Sequence, residues 1–179
     1  AHQHFSSEEI PVPEVLEIGK MDDAYHFAVS RRAKGRLLNE LDEETRARMV
    51  PELLRVLDAV RQLDVGAQGR YGDWDGSGRA RFSSWRCFIL AIDEYGSHDG
   101  TPWQTLFRET SMDPDVFQAV YRRIVRLADF CPEVVHLVHG DFSSDNILTD
   151  GERITGVIDW GGSKYGDFVY DVAWLNFWS

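Results

Sequence analysis

His139-Gly140-Asp141-Phe142-Ser143-Ser144-Asp145-Asn146, with Ile158-Asp159-Trp160 downstream, is the stretch whose reading decides the fold. It sets Asn146 five residues after Asp141, and Asp159 thirteen residues after Asn146. Between the last two, Ile147-Leu148-Thr149 and Arg153-Ile154-Thr155-Gly156-Val157-Ile158 read as short strands, because aliphatic and β-branched residues dominate both. Asp150-Gly151 separates them and is a favoured tight-turn pair, since Gly takes positive φ at no steric cost. An antiparallel hairpin returns the chain to the end at which it started. Asn146 enters the hairpin and Asp159 leaves it, so both side chains are expected at one site.

Those residue types suit one chemistry. Mg²⁺ takes hard oxygen ligands, keeps several waters, and is usually held by one or two protein groups together with substrate phosphates. Asn146 and Asp159 supply such a pair. Asp141 is then free to accept a proton from a hydroxyl that attacks a phosphoryl group. The Asp-Asn spacing alone also suits a turn or a cap. The strand before it, the hairpin and the closing Asp make phosphoryl transfer the stronger reading.

Outward from this stretch the pattern is mixed α and β. Val134 to Val138 reads as a short buried strand leading into the loop. Val12 to Ile18 and Tyr25 to Ser30 read as strands joined by Gly19 to Asp23, and Arg31 to Gly35 is the polar connection that follows. Met49, Leu53, Val56, Leu57 and Val60 recur at helical spacing within a helix from Glu43 to Leu63. Ser83 or Ser84 is expected to cap a helix through Trp85, Phe88, Ile89 and Ile92. Asp113-Pro114 opens another, with an apolar stripe of Val116, Phe117, Val120, Ile124 and Leu127. Asp167 is expected to cap a final helix through Trp174.

Further phrases carry a likeness. Pro13-Glu14-Val15-Leu16-Glu17-Ile18-Gly19, Ser30-Arg31-Arg32-Ala33-Lys34-Gly35, Cys131-Pro132-Glu133-Val134, His136-Leu137-Val138-His139-Gly140-Asp141-Phe142 and Ile158-Asp159-Trp160 resemble the aminoglycoside phosphotransferases, above all those acting on hygromycin B. Gly166-Asp167, Tyr170-Asp171 and Phe177-Trp178 extend the resemblance, which runs from about Ile10 to the last residue. It implies an α+β, protein-kinase-like fold: a partial small lobe of two strands and a mostly helical large lobe carrying a catalytic β-hairpin. Residues 1–30 are then the remnant of a nucleotide-binding lobe, 31–36 the hinge, and 37–179 a catalytic lobe incomplete at its C-terminal end. The resemblance implies Asp141 as catalytic base, and Asn146 and Asp159 as magnesium ligands. Ser30, Arg31, Arg32 and Ala33 become the hinge whose backbone meets adenine, with ATP and Mg²⁺ as cofactors. His139 is expected to hold the loop through a backbone hydrogen bond, and Asp171 to steady it.

The departures are equally specific. Such a fold needs a Lys on the ATP phosphates. This chain has three Lys, namely Lys20, Lys34 and Lys164, and none is on a strand before the hinge in the expected order. No glycine-rich phosphate loop of the G-x-G-x-x-G or G-x-x-x-x-G-K kind occurs. Trp174 to Ser179 reads as the middle of a helix. The 179 residues are therefore expected to be the middle of a longer enzyme, with little or no activity on their own.

Composition sets the remaining bounds. A hydrophobic fraction of 43% excludes a disordered chain. A net charge of −11 argues against nucleic acid or an anionic membrane surface as partner, and suits a small cationic substrate. It also suits simple solubility. Cys87 and Cys131 read as reduced core thiols without disulfide or metal spacing. No apolar run reaches membrane-span length, and dependence on ATP points to the cytoplasm. Asp73-Trp74-Asp75-Gly76-Ser77-Gly78 starts like a calcium loop, but Ser84 stands where a bidentate Glu is required, so it reads as a surface loop. His2 with His4, and His136 with His139, lack further ligands. Two alternatives stay open: a kinase of another small alcohol, and a nucleotide-binding or scaffold protein without phosphotransfer. The oligomeric state is undetermined.

Overall fold

The computed structural model describes residues 5–22, 25–66, 69–92 and 101–177; His2, His4, Asp23, Trp178 and Ser179 lie outside them. In chain order the elements are β1 (Val15–Lys20), β2 (His26–Ser30), β3 (Arg36–Leu37), α1 (Glu43–Gln62), β4 (Tyr71–Trp74), β5 (Ala80–Phe82), α2 (Trp85–Leu90), α3 (Trp103–Glu109), α4 (Pro114–Leu127), β6 (His136–Val138), β7 (Ile147–Thr149), β8 (Ile154–Val157), β9 (Lys164–Gly166) and α5 (Val169–Phe177). Short 3₁₀ turns lie at Leu38–Glu40, Ala128–Phe130 and Trp160–Gly162. Contacts divide these elements into two units. One gathers the described residues of 1–66, 136–164 and 168–179; the other gathers those of 67–135 and 165–167. The connection expected as a hinge, residues 31–36, lies inside the first unit.

The first unit is built around α1. Asp42 caps it by accepting from the Thr45 N–H at 2.8 Å, and Met49, Leu53, Val56, Leu57 and Val60 form the buried stripe that the spacing predicts. That stripe packs on β6 and β8. β3, β7 and β8 form one antiparallel sheet in that order, with Ile147 opposite Val157 and Leu148 opposite Gly156. The Val157 N–H donates to Pro11 O at 2.9 Å, which brings the buried Ile10 onto this layer. β1 and β2 form a separate antiparallel ribbon.

In the second unit, β4 and β5 enclose the Asp75–Arg79 turn. Asp75 accepts from the Ser77 N–H and the Arg79 N–H, which is the surface loop expected there. Ser84 caps α2 by accepting from the Cys87 N–H, and the Glu133 carboxylate accepts from the Trp85 N–H at 2.8 Å. Trp85 is buried and stacks on Phe88, and a Cβ at Gly166 would strike its ring at 2.2 Å.

Four expectations need correction. The β7–β8 connection is not a two-residue turn: it runs from Asp150 to Arg153, closed by Asp150 accepting from the Glu152 N–H and the Arg153 N–H. On α4, Val116, Val120 and Leu127 are more than half exposed. The helix instead lays Phe117 on Trp103 and Phe107, while the Tyr121 hydroxyl donates to Leu90 O. α5 starts at Val169, two residues past Asp167, so Asp167 precedes the cap position. Cys87 is exposed and Cys131 only half-buried, so neither is a core thiol. Both are free.

Candidate active site

β6 delivers the loop. Leu137 and Val138 are fully buried, so the strand is anchored before the chain turns at Gly140. Gly140 has φ 87°, and a Cβ there would meet Gly162 O at 2.0 Å and Lys164 Nζ at 2.6 Å. Only glycine fits a left-handed residue pressed this closely against backbone.

Asp171, on the first turn of α5, receives the loop from below. Its Oδ2 accepts from the His139 N–H at 2.7 Å and its Oδ1 from the Gly140 N–H at 2.8 Å. Burial raises this carboxyl to about 6 against the opposing pull of the two N–H donors and the nearby Lys164 ammonium. His139 is fully buried between the rings of Phe142 and Trp160. Burial lowers its imidazole to about 4, so it is neutral at pH 7. Its Nδ1 accepts from the Asp141 N–H at 3.3 Å. The proton therefore sits on Nε2, which donates to Ile158 O at 2.9 Å. One neutral ring thus ties the start of the loop to the residue before Asp159.

Asp141 and Asn146 meet directly. Asn146 Nδ2 donates to Asp141 Oδ2 at 2.7 Å and to Asp141 O at 3.0 Å. The Ile158 N–H donates to Asn146 O at 2.9 Å, which closes the mouth of the hairpin and sets Asp159 one residue beyond that bond. Asp159 takes φ 58° and ψ 59°, the one positive φ outside glycine among the described residues. Asp tolerates the left-handed region better than most residues, and such strain concentrates at functional sites.

The donor set fits a magnesium ion. With its Nδ2 turned to Asp141, Asn146 keeps its Oδ1 free of hydrogen bonds among the described residues. The exposed Asp159 carboxylate likewise makes no hydrogen bond or ion pair among them. Two hard oxygen donors at one hairpin mouth leave the remaining coordination positions to phosphate and water. No cluster of three or more His, Cys, Asp or Glu suited to a metal occurs among the described residues.

The expected hinge residues lie along the back of this hairpin. Ser30 ends β2 opposite Val15, and Arg31 returns to Glu14 through both backbone and side chain. Ala33 crosses Gly156 so closely that a Cβ there would lie 2.7 Å from its own. The Thr155 hydroxyl donates to Lys34 O, and Arg36 and Leu37 then pair with β7 as β3. Arg31 and Arg32 remain exposed.

Three participants were not foreseen. Asn39 clamps the far side of the loop: its N–H donates to Ser144 O and its Nδ2 to Asp145 Oδ1 at 2.6 Å. Lys164 is buried, with its Nζ donating to Gly162 O and lying 5.2 Å over the Tyr170 ring. Trp174 donates its indole N–H to Asp141 Oδ1 at 2.5 Å. Asn39 and Trp174 have no local signal, because their partners lie 106 and 33 residues away in the chain.

The phosphotransferase enzyme family matches the chain over residues 1–179. Hygromycin-B 4-O-kinase of Escherichia coli is 38% identical over 178 residues, covering 99% of this chain and 50% of that protein. A solved ternary complex of a thermostable mutant of aminoglycoside phosphotransferase APH(4)-Ia with ADP and hygromycin B matches with a TM-score of 0.83 at 37% identity, covering 99% of this chain and 58% of that one. The GDP and kanamycin complex of APH(2")-IIia matches with a TM-score of 0.64 at 18% identity, covering 95% of this chain and 56% of that one, and shares the fold alone. The α+β arrangement here is therefore the protein-kinase-like one. The chain spans about half the length of the curated relative it matches. No described helix is long and apolar enough to cross a membrane.

Proposed function

Since the chain belongs to the phosphotransferase enzyme family, we propose that it is the catalytic part of an enzyme that transfers the γ-phosphoryl group of ATP to a hydroxyl of a hygromycin-like aminoglycoside, and so confers resistance. The observation that carries this reading is the mouth of the β7–β8 hairpin. There Asn146 holds Asp141 through its Nδ2 and keeps its Oδ1 available, one backbone bond away from Asp159.

Asp141 orients the substrate hydroxyl and takes its proton. The hydroxyl oxygen forms the new bond to the γ-phosphorus as the bond from that phosphorus to the departing ADP oxygen breaks. Asn146 and Asp159 are the residues that would hold magnesium, whose charge neutralises the phosphate oxygens when it is bound. His139 and Asp171 fix the loop so that Asp141 does not have to be ordered at each turnover. Residues 1–30 serve as part of the nucleotide-binding lobe. Residues 31–36 serve as the hinge, with the backbone of Ser30 to Ala33 meeting adenine. The reaction places the enzyme in the cytoplasm, where ATP is available. The net charge of −11 suits a polycationic substrate.

The test is phosphorylation of hygromycin B by the full-length protein with ATP and Mg²⁺. Asp141→Ala is expected to lower kcat by at least about 100-fold, the low end for loss of a positioned base. Undiminished turnover in that variant sinks the assignment of Asp141. A second reading, a nucleotide-binding protein without phosphotransfer, is favoured by one observation. Of the three Lys, Lys20 at the end of β1 and Lys34 within residues 31–36 are exposed, and Lys164 is buried with its Nζ donating to Gly162 O. Full-length protein that binds ATP and phosphorylates neither an aminoglycoside nor another small alcohol decides for that reading.

A further inference from the structure

We propose that Trp174 is a positioning residue that fixes the carboxylate of Asp141 in the plane needed for phosphoryl transfer; the inference rests on the reading of Asp141 given above. Two donors hold that carboxylate, one on each oxygen. Asn146 Nδ2 lies 2.7 Å from Oδ2, and the Trp174 indole N–H lies 2.5 Å from Oδ1. A single donor leaves the carboxylate free to rotate about the bond to that oxygen. Two donors on opposite oxygens stop the rotation, while each oxygen keeps a lone pair for an incoming hydroxyl. Hydrogen bonds to an ionised acceptor are also the short, strong kind.

The donor is itself held. Trp174 stacks on Tyr170 one helical turn earlier, with ring centroids 6.1 Å apart and planes 8° from parallel. Lys164 Nζ lies over the other member of that stack. Asp171 and Trp174 are three residues apart on α5, hence on one face of the helix. From that face Asp171 takes the backbone of His139 and Gly140, and Trp174 takes the side chain of Asp141. One helix therefore sets both the path of the loop and the orientation of its reactive group. Burial does not force the contact. Trp174 is only half-buried, so the contact is not imposed by a closed core.

The decisive variant is Trp174→Phe in the full-length protein, which keeps an aromatic ring on Tyr170 and removes the N–H. Losing one hydrogen bond to a charged group is expected to lower kcat about tenfold or more, with KM for ATP and for hygromycin B held within about twofold. In an Asp141→Asn background the same change is expected to lower the residual rate less than about twofold, because the two residues act as a unit. An unchanged kcat, or an equal loss in both backgrounds, overturns the proposal. The contact has a readout independent of turnover. The Trp174 indole N–H proton resonance, identified by its disappearance in Trp174→Phe, is expected to move upfield in Asp141→Ala. A resonance indifferent to Asp141→Ala overturns the proposal as well. Full-length protein that phosphorylates no aminoglycoside defeats the functional reading, and the indole resonance then decides the contact separately.

Discussion

In the β7–β8 hairpin Ile147 and Val157 are fully buried, whereas in the β1–β2 ribbon Leu16 and Ile18 are 54% and 69% exposed. Both are short antiparallel pairs that carry aliphatic residues. What separates them is cover. β8 has α1 packed on it, β7 has β3 along its edge, and Pro11 accepts from Val157. Among the described residues, Met21, Tyr25 and Val29 add further exposed apolar surface to β1–β2. A two-stranded ribbon alone is marginal in water. The covered hairpin is thus the rigid element on which Asn146 and Asp159 are mounted. The ribbon leaves its apolar residues uncovered among the described residues.

The comparison breaks first, and with the largest effect, at the glycines. Gly140→Ala drives a Cβ into Gly162 O and Lys164 at a positive φ, and is expected to cost about 3 kcal/mol or more in chemical denaturation. Gly151→Ala, in the loop of the same hairpin, has φ 97° and nothing within 4 Å of the added carbon. It is expected to cost only about 1 kcal/mol, the conformational part alone. Equal losses show that the loop is not pressed against Gly162. The next effect is smaller and contrasts the two hairpins directly. Ile147→Val is expected to cost about 1 kcal/mol, and Ile18→Val less than about 0.5 kcal/mol. If Ile18→Val costs as much as Ile147→Val, the ribbon is covered and the contrast fails.

How much of this was legible follows from where each signal lies. The Asp141, Asn146 and Asp159 arrangement could be read because a hairpin converts sequence spacing into proximity, and the Ile158 to Asn146 bond is the expected closure. The turn was misread because Asp150-Gly151 satisfies a two-residue rule. In the fold, the Asp150 carboxylate organises a longer loop, and Thr149 adds a bond to Arg153 O. The stripe on α4 was misread for a different reason: helical spacing identifies an apolar face without saying which of its members find neighbours. Phe117 and Tyr121 do; Val116 and Val120 do not. Trp174 to Asp141 and Asn39 to Asp145 span 33 and 106 residues, so no local pattern encodes them.

The smallest effect is a pH dependence that should nearly vanish in the parent and appear in two variants. His139 is held below its ordinary 6.5, at about 4, by burial. As pH falls through that interval the unfolded chain takes a proton that the folded chain refuses, so His139 contributes stability above pH 6.5 that is lost toward pH 4. Asp171 is raised from 3.8 to about 6, again by burial. The folded chain then takes its proton first, so the Asp171 contribution is present below pH 3.8 and lost as pH rises through 6. The two slopes oppose each other over almost the same window. Asp42, Asp58, Asp75 and Asp150, all lowered by hydrogen bonds at the surface, lose their contributions only as pH falls below about 4. Urea unfolding of the parent between pH 6.5 and 4 is therefore expected to show little slope from this pair. Asp171→Asn removes one arm, and its stability should fall steadily toward acid. His139→Gln removes the other, and its stability should rise toward acid. The reading is the sign of each slope rather than absolute stability, so the destabilisation that either substitution brings does not obscure it. Slopes of the same sign in both variants show that the loop and α5 do not share this proton balance. The covered hairpin would then owe its rigidity to apolar packing alone.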